Sequence, residues 1–189
     1  METSLHRQLK HLYAQEGAEQ EVTLGDYRID VVNPGVLVEI QHGSLAAIRD
    51  KIANLLKQHQ VLVVKPIVAR KRIVKLRRSG GPVVTQRWSP KRGTPLDLFD
   101  ELVYFTQVFP HANLTLEVPL VQVEERRYPG HGRRRRQRDN DFQVEDLQLV
   151  EVGDTYRFNT AADLLQLLPH PLPEPFHTEH LAQRLNVRR

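Results

Sequence analysis

The chain has 189 residues, of which 40% are hydrophobic, with 27 Lys and Arg against 23 Asp and Glu and a formal net charge of +4. That length suits one domain of ordinary size plus a small appendage, and no apolar run approaches the ~18 residues of a membrane span. The opening Met1-Glu-Thr-Ser-Leu-His has no signal-peptide pattern, and the absence of cysteine excludes disulfides, thiolate zinc sites and a cysteine nucleophile, which fits a cytoplasmic location.

Residues 3–15 read as a helix capped by Thr3 or Ser4, with Leu5, Leu9, Leu12 and Tyr13 on one face. Strands are expected near 20–24, 27–32 and 36–41, joined by tight turns at Gly25-Asp26 and Pro34-Gly35. Gly43-Ser44 caps a second helix with the stripe Leu45, Ile48, Ile52 and Leu55, and Val61-Leu-Val-Val64 has the length and apolarity of an interior strand. The order so far is α-β-β-β-α-β. Strands near 72–76 and 83–88 predict a hairpin around Ser79-Gly-Gly-Pro82, and Thr94 caps a helix at about 95–108. Alternation predicts further strands at 114–125 and 142–151, separated by an Arg-rich loop at 128–141. Asn159 or Thr160 caps a short helix, a Pro-rich linker follows, and Thr178–Leu185 reads as a last helix. The expected organisation is a core at 1–76, a hairpin, helix and strand extension at 77–158, and a helical segment at 159–189.

The two turns fix a register. With Leu24 facing Tyr27, Glu21 falls opposite Asp30; with Asn33 facing Val36, Asp30 falls opposite Glu39. Directly opposed residues are about 4.5–5.5 Å apart at Cβ, where like charges repel. Three carboxylates in a row are therefore unfavourable unless a cation lies among them.

Charge is also segregated. Residues 1–50 hold eight acids and four bases, whereas 51–96 hold twelve bases and no acid. A block of one sign spread over several elements points to a polyanionic partner, with a solvated face as the plainer alternative. Candidate contacts to nucleic acid are His6, Arg49, Arg70, Lys71, Arg72, Arg77, Arg78, Lys91 and Arg92, with Arg133, Arg134, Arg135 and Arg136 in the loop. Trp88 and Tyr104 read as packing residues. His11 and His42 carry little weight, and His177 with His180 lacks a third metal ligand.

The element order, with Asp30 on one strand and Glu39-Ile40-Gln41 on the next, resembles the PD-(D/E)XK nuclease superfamily over roughly residues 3–68. Tyr27-Arg-Ile-Asp30-Val and Val38-Glu39-Ile40-Gln41 are similar to the CoiA-like competence proteins, which also carry Gln where most of the superfamily has Lys. The layout as a whole resembles an uncharacterised bacterial family that joins such a region to a C-terminal helical segment, and Phe176–Arg189 resembles the opening of a helix-turn-helix or winged helix. The resemblance implies an α/β fold with a restriction-endonuclease-like core and Mg²⁺- or Mn²⁺-dependent cleavage of DNA. Metal ligands would be Glu21, Asp30, Glu39 and the Ile40 carbonyl, with Glu16 and Glu19 as weaker choices for the upstream acid. Gln41 would position the attacking water, and Lys51 or Lys65 would supply the cation that Gln41 cannot. Such cores are frequently homodimers. The competing expectations are a DNA-binding module or regulator without catalysis, and an interaction domain whose basic face meets an acidic protein.

Overall fold

The computed structural model describes residues 2–130 and 141–186. Helix α1 (Ser4–Tyr13) precedes strands β1 (Glu19–Leu24), β2 (Tyr27–Asn33) and β3 (Val36–Ile40). A 3₁₀ turn leads into α2 (Arg49–Leu55), followed by β4 (Val61–Val64), β5 (Ile67–Leu76) and β6 (Val83–Trp88). Next come α3 (Leu98–Leu102), β7 (Leu114–Pro129), β8 (Phe142–Phe158) and α4 (Thr178–Leu185). The protein is mixed α/β, built on a single eight-stranded sheet. No helix among the described residues is long and apolar enough to cross a membrane.

In the sheet β1, β2 and β3 form an antiparallel meander, and β3 lies parallel to β4. Strands β4 and β5 both run parallel to β7 in one register, Val61 opposite Leu114 and Ile67 opposite Leu120. They therefore act as one long strand interrupted at Lys65-Pro66. β8 is antiparallel to β7, and β6 is antiparallel to β5.

Each face of the sheet carries its own core. Leu5 and Leu9 of α1 pack with Val31, Val38, Ile40, Val64, Val121 and Val123 on one face. Leu45, Ile52 and Leu55 around α2, with Leu98, Leu102 and Phe105 around α3, pack on the other. Burial of these side chains is the main driving force for the fold. Thr3 caps α1 by accepting the His6 N–H. Ser44 caps the 3₁₀ turn Leu45–Ile48, so the second helix enters one turn tighter than an α-helix.

Several elements depart from expectation: β7 and β8 extend to Pro129 and Phe158, beyond the expected 125 and 151, and the short helix after Thr160 is a 3₁₀ helix at Ala162–Leu167. The helix predicted over 95–108 is helical only as far as Leu102, a 3₁₀ turn at Pro95–Asp97 leading into α3, and turns follow it. Val103, Tyr104, Phe105 and Thr106 are β-branched or aromatic, with weak helix preference, and burial of Phe105, Val108 and Phe109 fixes the chain instead. β5 begins five residues before the expected strand, because β7 satisfies its backbone and supplies acids to its basic side chains.

Candidate functional site

The observed register is the one the turns predict, with Leu24 opposite Tyr27 and Asn33 opposite Val36. Pairing of β1 with β2 continues on both sides of Glu21 and Asp30, through Gln20–Val31 and Val22–Ile29, but skips that pair. Glu21 has φ +60, an unusual backbone for a non-glycine strand residue. Pairing of β2 with β3 runs from Asn33–Val36 to Val31–Val38 and stops there. The Ile40 N–H, next in line on that edge, donates to Asp30 Oδ2 at 2.8 Å. The Asp30 carboxylate thus takes the place of a backbone acceptor where the ladder opens.

These breaks send the three acids to different partners. Glu21 pairs with Lys10 of α1 and with Arg28. Asp30 Oδ1 lies 3.0 Å from His6 Nε2. Leu37 belongs to the core under α2, so Glu39, two residues on, faces the same side, where Lys51 Nζ stands 2.5 Å from its Oε1. Lys51 Nζ also donates to the Arg28 carbonyl at 2.5 Å. The repulsion inferred from the register is relieved by the cations Lys10, Arg28 and Lys51 and by the His6 imidazole as a hydrogen-bond partner of Asp30.

Burial tends to raise the Asp30 carboxyl, but the His6 and Ile40 N–H hydrogen bonds, with Lys51 nearby, bring it below the usual carboxylate range. Glu39 moves the other way. Burial pushes it up and the charge of Asp30 adds to this, against the pull of Lys51. Glu39 Oε1 is buried against the Lys51 ammonium. Two adjacent carboxyls are thereby driven apart in acidity, an arrangement typical of functional sites and also found in structural ion-pair networks.

Hard oxygen donors are the right chemistry for a divalent cation, and Mg²⁺ is commonly held by one or two carboxylates while keeping several waters. Asp30, Glu39 and the Ile40 carbonyl, on the edge facing β2, fit that description, and Glu39 Oε1 has acceptor capacity unused. Glu21 is held away by Lys10 and Arg28. Among the described residues no three His, Cys, Asp or Glu side chains are gathered to hold one ion.

Gln41 donates its side-chain N–H to the Ser44 carbonyl at 2.8 Å, within its own loop. Lys65 lies elsewhere: its Nζ meets Glu101 at 3.1 Å and the Gly43 carbonyl at 2.5 Å, tying the end of β4 to α3. Arg49 pairs with the neighbouring Asp50. Lys71 and Arg72 pair with Glu125 and Glu124 of β7, at 2.6 and 2.5 Å, and Arg70 lies over the Trp88 ring. Arg77, Arg78, Lys91 and Arg92 are exposed. The predicted contacts Arg133 to Arg136 lie outside the described residues.

Several participants were missed in the sequence. Glu2 and Lys10 stand four residues on either side of His6, Glu2 just before the Thr3 cap and Lys10 on α1, so the three share a face, and Lys10 is almost wholly buried there. That spacing was a usable signal. Lys10 meets Glu2 at 2.5 Å as well as Glu21. His42 lines the same open groove as His6, Arg28 and Asp30, although strand alternation alone argued against it. Glu101 takes the Leu45 N–H at 2.9 Å and holds the 43–45 loop, and nothing in the local pattern pointed to it.

Fold and geometry thus define a mixed α/β protein with a carboxylate–lysine–histidine cluster where a sheet ladder opens. The chain belongs to a family described as a domain of unknown function, DUF8091, whose model matches residues 3–159. An uncharacterized protein of Treponema pallidum (strain Nichols) is 33% identical over 183 residues, covering 96% of this chain and 72% of that protein. No solved structure gives a significant match.

Proposed function

We propose that this protein is a Mg²⁺-dependent endonuclease of the PD-(D/E)XK type acting on DNA, with Asp30, Glu39 and Lys51 at its centre. The observation that carries the reading is Lys51 Nζ at 2.5 Å from Glu39 Oε1, which puts an ammonium beside the acid pair although the position two residues after Glu39 is Gln41. The element order α-β-β-β-α-β, the parallel β3–β4 pair and the acids at the opening of the ladder support the same reading.

Asp30, Glu39 and the Ile40 carbonyl would hold the metal, which when bound lowers the pKa of a water and offsets charge on the scissile phosphate. Lys51 has three N–H donors; Glu39 and the Arg28 carbonyl engage two, and the third serves a phosphate oxygen. Gln41 spends its N–H on Ser44, so its side-chain oxygen is left to accept from a water. Exposed Arg77, Arg78, Lys91 and Arg92 supply sequence-independent grip on the backbone.

The test is nicking of supercoiled plasmid with Mg²⁺ or Mn²⁺. Asp30→Ala and Lys51→Met should each reduce the rate about 100-fold or more. A wild-type protein that does not cut, or a Lys51→Met protein that cuts as fast as wild type, would overturn the catalytic reading.

The second reading is a nuclease-fold DNA-binding module without catalysis. It is favoured by a protein partner on every acid of the row, Lys10 and Arg28 on Glu21, His6 on Asp30 and Lys51 on Glu39, and by the neutral Gln41. It requires salt-sensitive DNA binding that persists in EDTA and is unchanged by Glu39→Gln.

A further inference from the structure

A second concavity lies at the other end of the long strand, where the tip of the β5–β6 hairpin meets the ends of β7 and β8. Its volume is about 450 Å³, within the usual range for a small-molecule site. It is separated from the carboxylates by the length of β5, roughly 30–35 Å at the rise of an extended strand. Lys75, Arg77, Arg87 and Arg127 line it, against a single acid, Asp141, on its wall.

Arg127 is the informative member. Its Nε is buried and has no hydrogen-bond partner, and its guanidinium lies 4.2 Å above the centre of the Phe142 ring. A buried donor left unpaired is costly, so an acceptor belonging to a ligand improves the site. Phe142 nevertheless keeps 41% of its surface exposed. The second ring, Tyr128, is fixed by its hydroxyl, which donates to Gln143 at 2.6 Å. Lys75, Arg77 and Arg87 suit phosphate, and two oriented rings with the plane of Arg127, whose charge is shared with Glu125, suit a flat heterocycle. Bases in a duplex are stacked on each other and present no face to such rings, whereas unpaired nucleotides do.

We infer that this cavity takes a nucleotide, with phosphate on Lys75, Arg77 and Arg87 and the base against Tyr128 and Phe142. The site is distinct from the carboxylate cluster and does not depend on cleavage. Two sources share the chemistry: a free mononucleotide and an unpaired nucleotide within a single strand.

The experiment uses the full chain in EDTA, with fluorescently labelled oligo(dT) and a blunt duplex of equal length as probes and dTMP as competitor. Oligo(dT) should bind more tightly than the duplex. Phe142→Leu, which keeps apolar bulk but removes the ring, and Arg87→Ala, on an exposed strand, should each weaken oligo(dT) about tenfold. Lys57→Ala, in the turn between α2 and β4 and outside the cavity's lining, should change nothing, and thermal melting confirms that each variant is folded. Displacement by dTMP identifies a free nucleotide as sufficient, and binding without displacement identifies the strand; either supports the site. No binding of oligo(dT) or dTMP, or binding indifferent to both Phe142→Leu and Arg87→Ala, overturns it. Failure here leaves the plasmid assay untouched, because that assay reads Asp30 and Lys51.

Discussion

Lys51 reaches from α2 to the buried Glu39 and to the carbonyl of Arg28, and it is the residue on which most of the local electrostatics turns. Removing one partner of a buried pair leaves the other charge uncompensated, at about 3–5 kcal/mol. Lys51 retains some exposure, so Lys51→Met should cost about 3 kcal/mol, the lower end of that range, in urea unfolding. Adding Glu39→Gln should recover most of the loss, because the stranded charge is then gone. The two carboxyls also give stability opposite dependences on pH. Asp30 is depressed in the folded state, so its contribution is complete above the ordinary Asp range and lost as pH falls through its folded pKa. Glu39 is raised, so the folded state holds its proton longer, and its contribution declines as pH rises from the ordinary Glu range through its folded pKa. Asp30→Asn should flatten the acid limb of a melting-temperature profile, and Glu39→Gln should flatten the decline above it.

At the scale of elements, the meander was legible because two-residue turns leave a strand pair little choice of register. Gly35 has φ +81 in the second turn, with nothing within 4 Å of where a Cβ would stand. The cost of Gly35→Ala is therefore backbone strain alone, about 1–2 kcal/mol, read as a lower denaturation midpoint with unchanged slope. Side-chain directions were less legible than the register. Alternation would have kept Glu21, Asp30 and Glu39 on one face, but Glu21 adopts a left-handed backbone and Asp30 hydrogen-bonds a main-chain N–H. Neither choice is written in periodicity, since each depends on what neighbouring strands offer. The shortened third helix has the same origin: Thr94 and Pro95 announce a start, and burial of Phe105 and Phe109 decides the end.

For the whole molecule, the basic block at 51–96 was visible as composition, but its partners were not. Glu124 and Glu125 lie about fifty residues further on, and only the parallel pairing of β5 with β7 brings them to Arg72 and Lys71. The block is therefore partly neutralised within the sheet. Its unpaired charge gathers at the hairpin and the loop beyond it, where Arg77, Arg78, Lys91 and Arg92 are exposed. Glu124→Gln should release Arg72 and tighten DNA binding. The slope of log affinity against log salt should steepen by up to about 0.9, the value for one added phosphate contact.

The opening of the ladder at Asp30 has a mechanical consequence. Beyond that residue the tip of the first hairpin, residues 22–29, keeps its own cross-strand bonds but no longer borders β3. It is a cantilever, and α2 is its strut: Lys51 holds the Arg28 carbonyl, and Asn54 donates to the Tyr27 hydroxyl at 2.7 Å. Deuterium should enter the Val22 to Ile29 amides sooner than those of Val31 to Asn33, and sooner still once Asn54→Ala and Lys51→Met remove both props.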